Sequence, residues 1–399
     1  MAMTPRLEED LREWLPRQRW FARSGATISS VAIADELALG GFGRLLIVEV
    51  RRAVELVDRY LLAVAGDELD GLKSDGLRTR LFELATEGRL ESSGSKMLGA
   101  EQSNSSLLYF DREGKPAWIL KLFRRLMAGE NPEHEILSGL NRLTSFRNVP
   151  MVVGEIRRGD TTLALAEEFV ANNGDGWEFA LRRLRAGDDL LADVSLLGRR
   201  TAELHAALAQ AFGAETIGDD DVRHWMARAK AGANAPDLAG HRDALAPWIT
   251  HLEQNTSGVE ATLGLAKIRM HGDYHLGQVL KTDDDFVIFD FEGEPLRPIA
   301  ERRRRGCALQ DVAGMLRSFS YAAVTAERSG WDLSARPAFL AAYGETIGAL
   351  APGLVPGEAD AFVRALGFFE REKAVYELSY ELAHRPGWAG IPLQAITTW

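Results

Sequence analysis

A chain of 399 residues, 46% hydrophobic and 26% charged, has the balance of a globular protein with room for two or three domain cores, which excludes a fibre or a disordered tail. Its 47 Lys and Arg stand against 58 Asp and Glu, and a net charge of −11 disfavours nucleic acid as a partner. The charged start, the lack of a long uncharged apolar run and the single Cys307 predict no signal peptide, no membrane span, no intrachain disulfide and a cytoplasmic location. Cys307 is expected to be a small buried apolar residue.

In chain order, residues 9–16 read as a short helix stopped by Pro16, and the alternation through Val31 to Ala65 predicts several antiparallel strands. The Gly/Ser-rich stretch Glu91 to Lys96 reads as a turn or boundary. Leu107 to Phe110 and Trp118 to Phe123 read as a hairpin joined through Gly114, followed by a helix from Asn131-Pro132 to Leu143. Strands return at Met151 to Ile156 and Thr161 to Phe169. Beyond Val170 helices dominate: Leu181 to Arg185, Asp193 to Phe212, Asp221 to Ala231, Asp237 to Gln254, Leu309 to Ala326, Pro337 to Leu350 and Ala359 to Ala383. The exception is Met270 to Asp290, where short apolar runs flanking Lys281 to Asp285 predict a hairpin.

Chemistry concentrates in that exception. Asp273 lies in a Gly-containing turn after an apolar segment, and Gln278 follows at the fifth position. This spacing suits an acid that accepts a hydroxyl proton and an amide oxygen that binds metal in phosphoryl transfer. Asp290 and Glu292, at the end of the next strand, supply hard oxygens suited to Mg²⁺. His271 and His275 would form a metal pair only on a helix, which Gly272 and Gly277 oppose. Upstream, Gly99 to Ser106 is a candidate phosphate-wrapping loop through main-chain N–H groups and the side chains of Ser103, Asn104 and Ser105. Lys121 ends a strand where a kinase places its phosphate-contacting lysine, with Glu135 or Glu133 on the next helix to hold it. Glu168 and Val170 have the position of a hinge that meets adenine through main-chain groups. The implied cofactors are ATP and Mg²⁺, and closure of a two-lobed molecule over its substrates is expected.

On these residues the chain resembles actinobacterial maltokinases and glucosamine kinases, within the aminoglycoside-phosphotransferase-like branch of the protein-kinase fold. The resemblance runs through Leu15 to Ala22, Glu101 to Ser105, Leu120 to Arg125 with Asn131-Pro132, His271 to Gln278, Asp311 to Ser318, Arg385 to Trp388 and Ile391-Pro392. It implies a bilobal α+β fold: a cap over residues 1–90, a β-rich nucleotide-binding part over 91–170 and a helical lobe over 171–399 that holds the sugar. It further implies Asp273 as the base, Gln278, Asp290 and Glu292 as Mg²⁺ ligands, and Lys121 on the phosphates.

The acceptor implied by the resemblance is a small sugar. An ammonium group on that sugar favours a carboxylate in the pocket. Candidates are Asp311 and the helical set Lys373, Tyr376 and Glu377, three and four residues apart, near Glu370 and Glu372. Gln310 beside Asp311 and the shorter chain depart from the maltokinase pattern, so phosphorylation of glucosamine at its 6-hydroxyl is the first expectation and maltose 1-phosphate formation the second. An antibiotic-modifying phosphotransferase ranks third. A binding module that keeps the fold without catalysis is opposed by the intact Asp273, Gln278, Asp290 and Glu292. Trp388 and Trp399 are candidates for stacking on a sugar ring. No sequence feature fixes the oligomeric state; a monomer is the default.

Overall fold

The computed structural model describes residues 4–21, 27–52, 57–99, 104–295 and 297–398, with the backbone alone for 4–6. The chain divides into two compact units, Met1–Ser138 with Pro150–Val170 and Gly139–Val149 with Ala171–Trp399.

The first unit opens with helix α1 (Thr4–Trp14) and the strands β1 (Ile28–Ala38), β2 (Arg44–Arg52) and β3 (Val57–Val64). Helix α2 (Asp75–Ala85) follows, then β4 (Gly94–Met97), β5 (Asn104–Phe110), β6 (Pro116–Phe123), β7 (Arg125–Leu126) and α3 (Pro132–Leu143), with β8 (Val152–Arg158) and β9 (Thr161–Glu168) completing it. These strands form two antiparallel sheets, ordered β1-β2-β3-β7 and β4-β5-β6-β9-β8. In β2 the alternate residues Leu46, Val48 and Val50 share one face and are buried with Leu11 and Leu15 and with Tyr60 and Leu62 of β3. Helix α2 was not legible as a periodic run. Ser74 caps it by accepting from the Leu77 N–H, and Leu77, Leu81 and Phe82 are its buried side chains.

The second unit contains α4 (Gly176–Arg185), α5 (Leu191–Phe212), β10 (Glu215–Thr216), α6 (Asp219–Ala233), α7 (Arg242–Gln254), α8 (Ser257–Glu260) and β11 (Ala266–Lys267). The hairpin β12 (Val279–Lys281) and β13 (Phe286–Ile288) comes next, then α9 (Ile299–Arg302), α10 (Leu309–Thr325), α11 (Trp331–Leu350), α12 (Ala359–His384) and α13 (Gly390–Thr397). Antiparallel sheets ahead of a mainly helical remainder give the α+β class that the sequence implies. Among the described residues no helix is long and apolar enough to cross a membrane.

Several boundaries differ from the sequence reading: α4 begins at Gly176 rather than Leu181, and α11 at Trp331 rather than Pro337, which lies inside the helix. Glu91 to Lys96 is not only a turn, because Gly94 begins β4 and pairs with Phe110. The helix expected from Asp237 begins as a 3₁₀ turn over Pro236–His241 before α7, since Pro at its start pre-sets the backbone angle but lacks an N–H to donate.

Close helix packing in the second unit rests on Gly198 of α5, where an added Cβ would lie 2.4 Å from the Phe339 carbonyl oxygen of α11. Gly198→Ala should therefore lower stability by about 1–3 kcal/mol despite alanine's better helix propensity. A urea-unfolding midpoint equal to or above that of the unsubstituted chain would refute this packing constraint.

Candidate active site

The segment 271–278 is a loop between β11 and β12, turned by Gly272 at φ +84°. Helix α10 supplies acceptors for three of its N–H groups, and those of Asp273, Gly277 and Gln278 find acceptors on His271 and His275 within the loop. The Asp311 carboxylate accepts from His271 N–H through Oδ2 and from Gly272 N–H through Oδ1, both at 2.9 Å, and Ser318 Oγ accepts from Leu276 N–H at 3.2 Å. Between them, Gly314 leaves room for the loop, for an added Cβ would stand 2.6 Å from the Tyr274 carbonyl oxygen. Residues 311, 314 and 318 share one helical face, so a single stripe of α10 seats the loop. His205 Nε2 lies 3.3 Å from Asp311 Oδ2, and the other ring nitrogen meets Tyr343 Oη at 3.0 Å. Burial pushes Asp311 up, but the His205 hydrogen bond and charge outweigh it and leave the carboxyl below its usual range.

Asp273 is thereby presented from a fixed loop. Lys373 Nζ lies 3.1 Å from its Oδ1 and 2.6 Å from Glu294 Oε1. Burial raises the Asp273 pKa, yet Lys373 and then His275 overcome it and hold the carboxyl below the usual range, so it is an anion near neutral pH. His275 Nε2 stands 4.0 Å from Asp273 Oδ2, while its Nδ1 accepts from Gly277 N–H. His271 Nε2 meets the Phe289 carbonyl oxygen at 2.9 Å. Both histidines brace the turn, and neither forms a helical metal pair.

The β12–β13 hairpin joins Gln278 to Asp290: the Gln278 amide donates to Asp290 Oδ2 at 2.9 Å, leaving its carbonyl oxygen as the group able to meet a cation. Asp290 holds φ +64°, a strained conformation for a residue with a Cβ. Phe291 is buried against the His271 ring, centroids 4.7 Å apart. Two carboxylates and an amide oxygen, from Asp290, Glu292 and Gln278, are a donor set of the hard-oxygen kind that fits Mg²⁺.

Within the first unit, Lys121 Nζ pairs with Glu133 Oε2 at 2.7 Å. This corrects the expectation of Glu135. The two glutamates are two residues apart on α3 and so project about 200° from one another, and the inward one, 1% exposed, is Glu133. The expected loop from Gly99 to Ser106 is also shorter, because Asn104 and Ser105 already lie in β5, opposite Phe123 and Leu122. Asn104 is buried and Ser105 Oγ accepts from Arg124 Nε at 2.8 Å, so that hydroxyl is engaged within the sheet. Ser103 lies outside the described residues. Glu168 ends β9 and spends its N–H on the Met151 carbonyl oxygen at 2.8 Å, with Val170 two residues beyond.

Next to Asp273 a cavity of about 310 Å³ opens within the second unit, lined by Asp175, Trp177, Tyr321, Tyr376, Glu377, Tyr380, Glu381, Arg385 and Trp388 besides Asp273 and Lys373. Glu377 accepts from Arg317 Nε at 2.9 Å, and burial still keeps its carboxyl above the usual range against Arg317. Glu381 accepts two bonds from Arg385, at 2.9 and 2.7 Å. Trp177 and Trp388 stand 6.0 Å apart, and Trp388 carries the Arg385 guanidinium over its ring at 4.8 Å.

Lys373, Tyr376 and Glu377 are therefore brought to this cavity. Asp311 is not a substrate group: it is 2% exposed and both carboxylate oxygens are committed to the loop. Glu370 is paired with Arg336, and Trp399 lies outside the described residues. Sequence reasoning missed Glu294, Glu381, Tyr321, Trp177 and the arginines 317 and 385. The four-residue spacing from Glu377 to Glu381 was an available signal; Trp177 carried none.

Behind Lys373, Glu372 receives Arg297 at 2.9 Å and Arg228 at 3.0 Å. Burial alone would raise its pKa, but Arg228 and Arg297 bring it down from 4.5 to about 2. A depressed folded-state value stabilises the protein fully above the ordinary value and loses that contribution as pH falls through the folded one. Denaturation midpoints measured from pH 6 to pH 2 should accordingly show Glu372→Gln starting below the unsubstituted protein and converging with it in acid. Parallel curves would contradict the assignment.

Comparison with known proteins agrees with this geometry. The phosphotransferase enzyme family model matches residues 98–354, and the maltokinase N-terminal cap domain model matches residues 14–89. The chain is 28% identical to the glucosamine kinase of Mycolicibacterium smegmatis (strain ATCC 700084 / mc(2)155) over 399 aligned positions, covering 91% of this chain and 96% of that one. It is 28% identical to the glucosamine kinase of Streptacidiphilus jiangxiensis over 340 positions, 78% and 74% of the two chains. A solved glucosamine kinase in complex with glucosamine, ADP and inorganic phosphate superposes with a TM-score of 0.71 at 24% identity, covering 97% of this chain and 98% of that one. With the family model matching residues 98–354, more than half of its length, this chain belongs to the phosphotransferase enzyme family.

Proposed function

We propose that this chain is a glucosamine kinase, moving the γ-phosphoryl group of ATP to the 6-hydroxyl of D-glucosamine to give glucosamine 6-phosphate and ADP. The observation that carries the reading is the acid-rich cavity beside Asp273. Four carboxylates line it, Asp175, Asp273, Glu377 and Glu381, against Lys373 and Arg385, with Arg317 behind Glu377. One negative charge is left uncompensated, which favours a cationic sugar over a neutral one. Trp177, Tyr321 and Trp388 offer the apolar ring faces against which a pyranose packs.

In this reading Asp273, ionised near neutral pH, accepts the proton of the attacking hydroxyl and fixes its direction. Gln278, Asp290 and Glu292 would hold Mg²⁺, which when bound offsets charge on the phosphates. Lys121, fixed by Glu133, contacts the ATP phosphates, and main-chain groups of Glu168 and Val170 meet adenine. Residues 1–90 form the cap, 91–170 the nucleotide-binding part and 171–399 the sugar-binding lobe. The enzyme is cytoplasmic, and its buried Cys307 needs no oxidising compartment.

The match to a maltokinase cap model favours maltose as the second reading. Coupled ADP release with Mg²⁺-ATP separates the two across glucosamine, N-acetylglucosamine, glucose, maltose and an aminoglycoside. Glucosamine should turn over fastest, with N-acetylglucosamine lower by tenfold or more because the ammonium charge is gone. Turnover of maltose alone would sink the amino-sugar assignment, and silence with every acceptor would make the chain a binding module. Asp273→Asn should cut kcat by about 10²–10⁴ while leaving ATP affinity unchanged, and an active variant would remove Asp273 from the mechanism. Lys121→Met should instead raise the KM for ATP about tenfold or more, whereas an unchanged KM would release Lys121 from the phosphates.

A further inference from the structure

Lys373 is expected from the sequence as a substrate contact, yet its ammonium is already placed. It lies on α12 with Asp273 Oδ1 at 3.1 Å on one side and Glu294 Oε1 at 2.6 Å on the other, and the Tyr376 ring is 5.1 Å away. Glu294 is itself fixed: it is 5% exposed and pairs with Arg297, whose guanidinium also binds Glu372, the neighbour of Lys373 on the same helix. The circuit Lys373–Glu294–Arg297–Glu372 thus returns to α12 and fixes the lysine through both its side chain and its backbone. Gly314 of α10 makes room for the Tyr274 carbonyl oxygen, and a Cβ there would stand in ordinary contact with Lys373 Cε at 3.9 Å.

We infer that Lys373 is a positioning residue for Asp273: it binds one carboxylate oxygen so that the other, Oδ2, is turned toward the acceptor hydroxyl, and Glu294 sets where the ammonium stands. A freely rotating carboxylate would present its two oxygens in many orientations, and a charge-assisted hydrogen bond removes that freedom. Other groups that bear electrostatically on Asp273 include His275, 4.0 Å from Oδ2, His271 and Tyr380. Lys373 acts through Asp273, so the inference rests on Asp273 being the base.

The test is a double-substitution cycle read by steady-state kinetics with Mg²⁺-ATP and glucosamine. Lys373→Met should lower kcat by about 10²-fold while the KM values for ATP and glucosamine stay within about threefold, and Lys373→Arg, which keeps charge and donors, should recover most of the loss. Adding Lys373→Met to Asp273→Asn should cost nothing further, because the group it positions is gone. A rise in the KM for glucosamine with kcat preserved would make Lys373 a substrate contact and overturn the inference, as would losses that multiply in the double variant. Should Lys373→Met not fold, Lys373→Gln, which keeps a donor without the charge, is read in the same way. Full activity of Asp273→Asn alone would instead refute the underlying reading, so the two failures are told apart.

Discussion

Two successive main-chain N–H groups, of His271 and Gly272, turn inward where no strand or helix can accept them, and the structure around the site depends on satisfying both. A buried N–H left unpaired costs about 1–3 kcal/mol, and a residue at φ +84° cannot be drawn into a regular ladder to avoid it. One carboxylate with two oxygens at 2.9 Å satisfies the pair. That carboxylate is a buried charge, so it needs its own partners, and His205 with Tyr343 behind it supplies them. The requirement passes outward from a turn of the loop to α10, α5 and α11. The close approach of α5 to α11 at Gly198 belongs to the same region, because His205 and Tyr343 are carried by those two helices.

Seen from α10, the arrangement is economical in sequence. Asp311 accepts from the start of the loop, Gly314 makes room for its middle and Ser318 accepts from its end. Positions i, i+3 and i+7 of one helix follow the loop for six residues. A second helix, α12, reaches the same loop through the charge-assisted hydrogen bond of Lys373 to Asp273. Hydrogen bonds therefore fix the backbone of the loop and an ion pair fixes its functional side chain, and each can be weakened without the other. Asp290 adds local strain at φ +64°, which persists because Phe291 is locked against His271 and Gln278 holds the carboxylate.

This division explains what was legible in the sequence. Asp273, Gln278, Asp290 and Glu292 fall within twenty residues, and their spacing follows from a turn and a two-stranded hairpin, so a short-range reading recovers them. The long helices α5, α10, α11 and α12 were legible because about five to seven turns of apolar periodicity average out local exceptions. The same reading failed where a fact is three-dimensional. Whether Glu133 or Glu135 meets Lys121 depends on the rotation of α3, to which both are equally near in sequence. Asp311 drew notice as a buried carboxylate, but only the path of the loop beneath α10 shows that its oxygens are consumed by main-chain donors. Helix α2 escaped because its signal is one capping serine and a short stripe.

Acceptor recognition is less legible still, for a physical reason. The cavity takes Trp177 from the start of α4, Tyr321 from α10, Glu377 and Glu381 from α12, and Trp388 from the turn that follows it. No two of these elements are set by one local motif. Each of its glutamates is already matched by an arginine, Glu377 by Arg317 and Glu381 by Arg385. A cation entering this cavity would therefore share carboxylates with guanidinium groups. Burial holds the Glu377 carboxyl above the usual carboxylate range even beside Arg317. The spacing of Asp273, Gln278 and Asp290 is held within one loop and hairpin, whereas the charge of the cavity is a balance among side chains that the fold alone brings together.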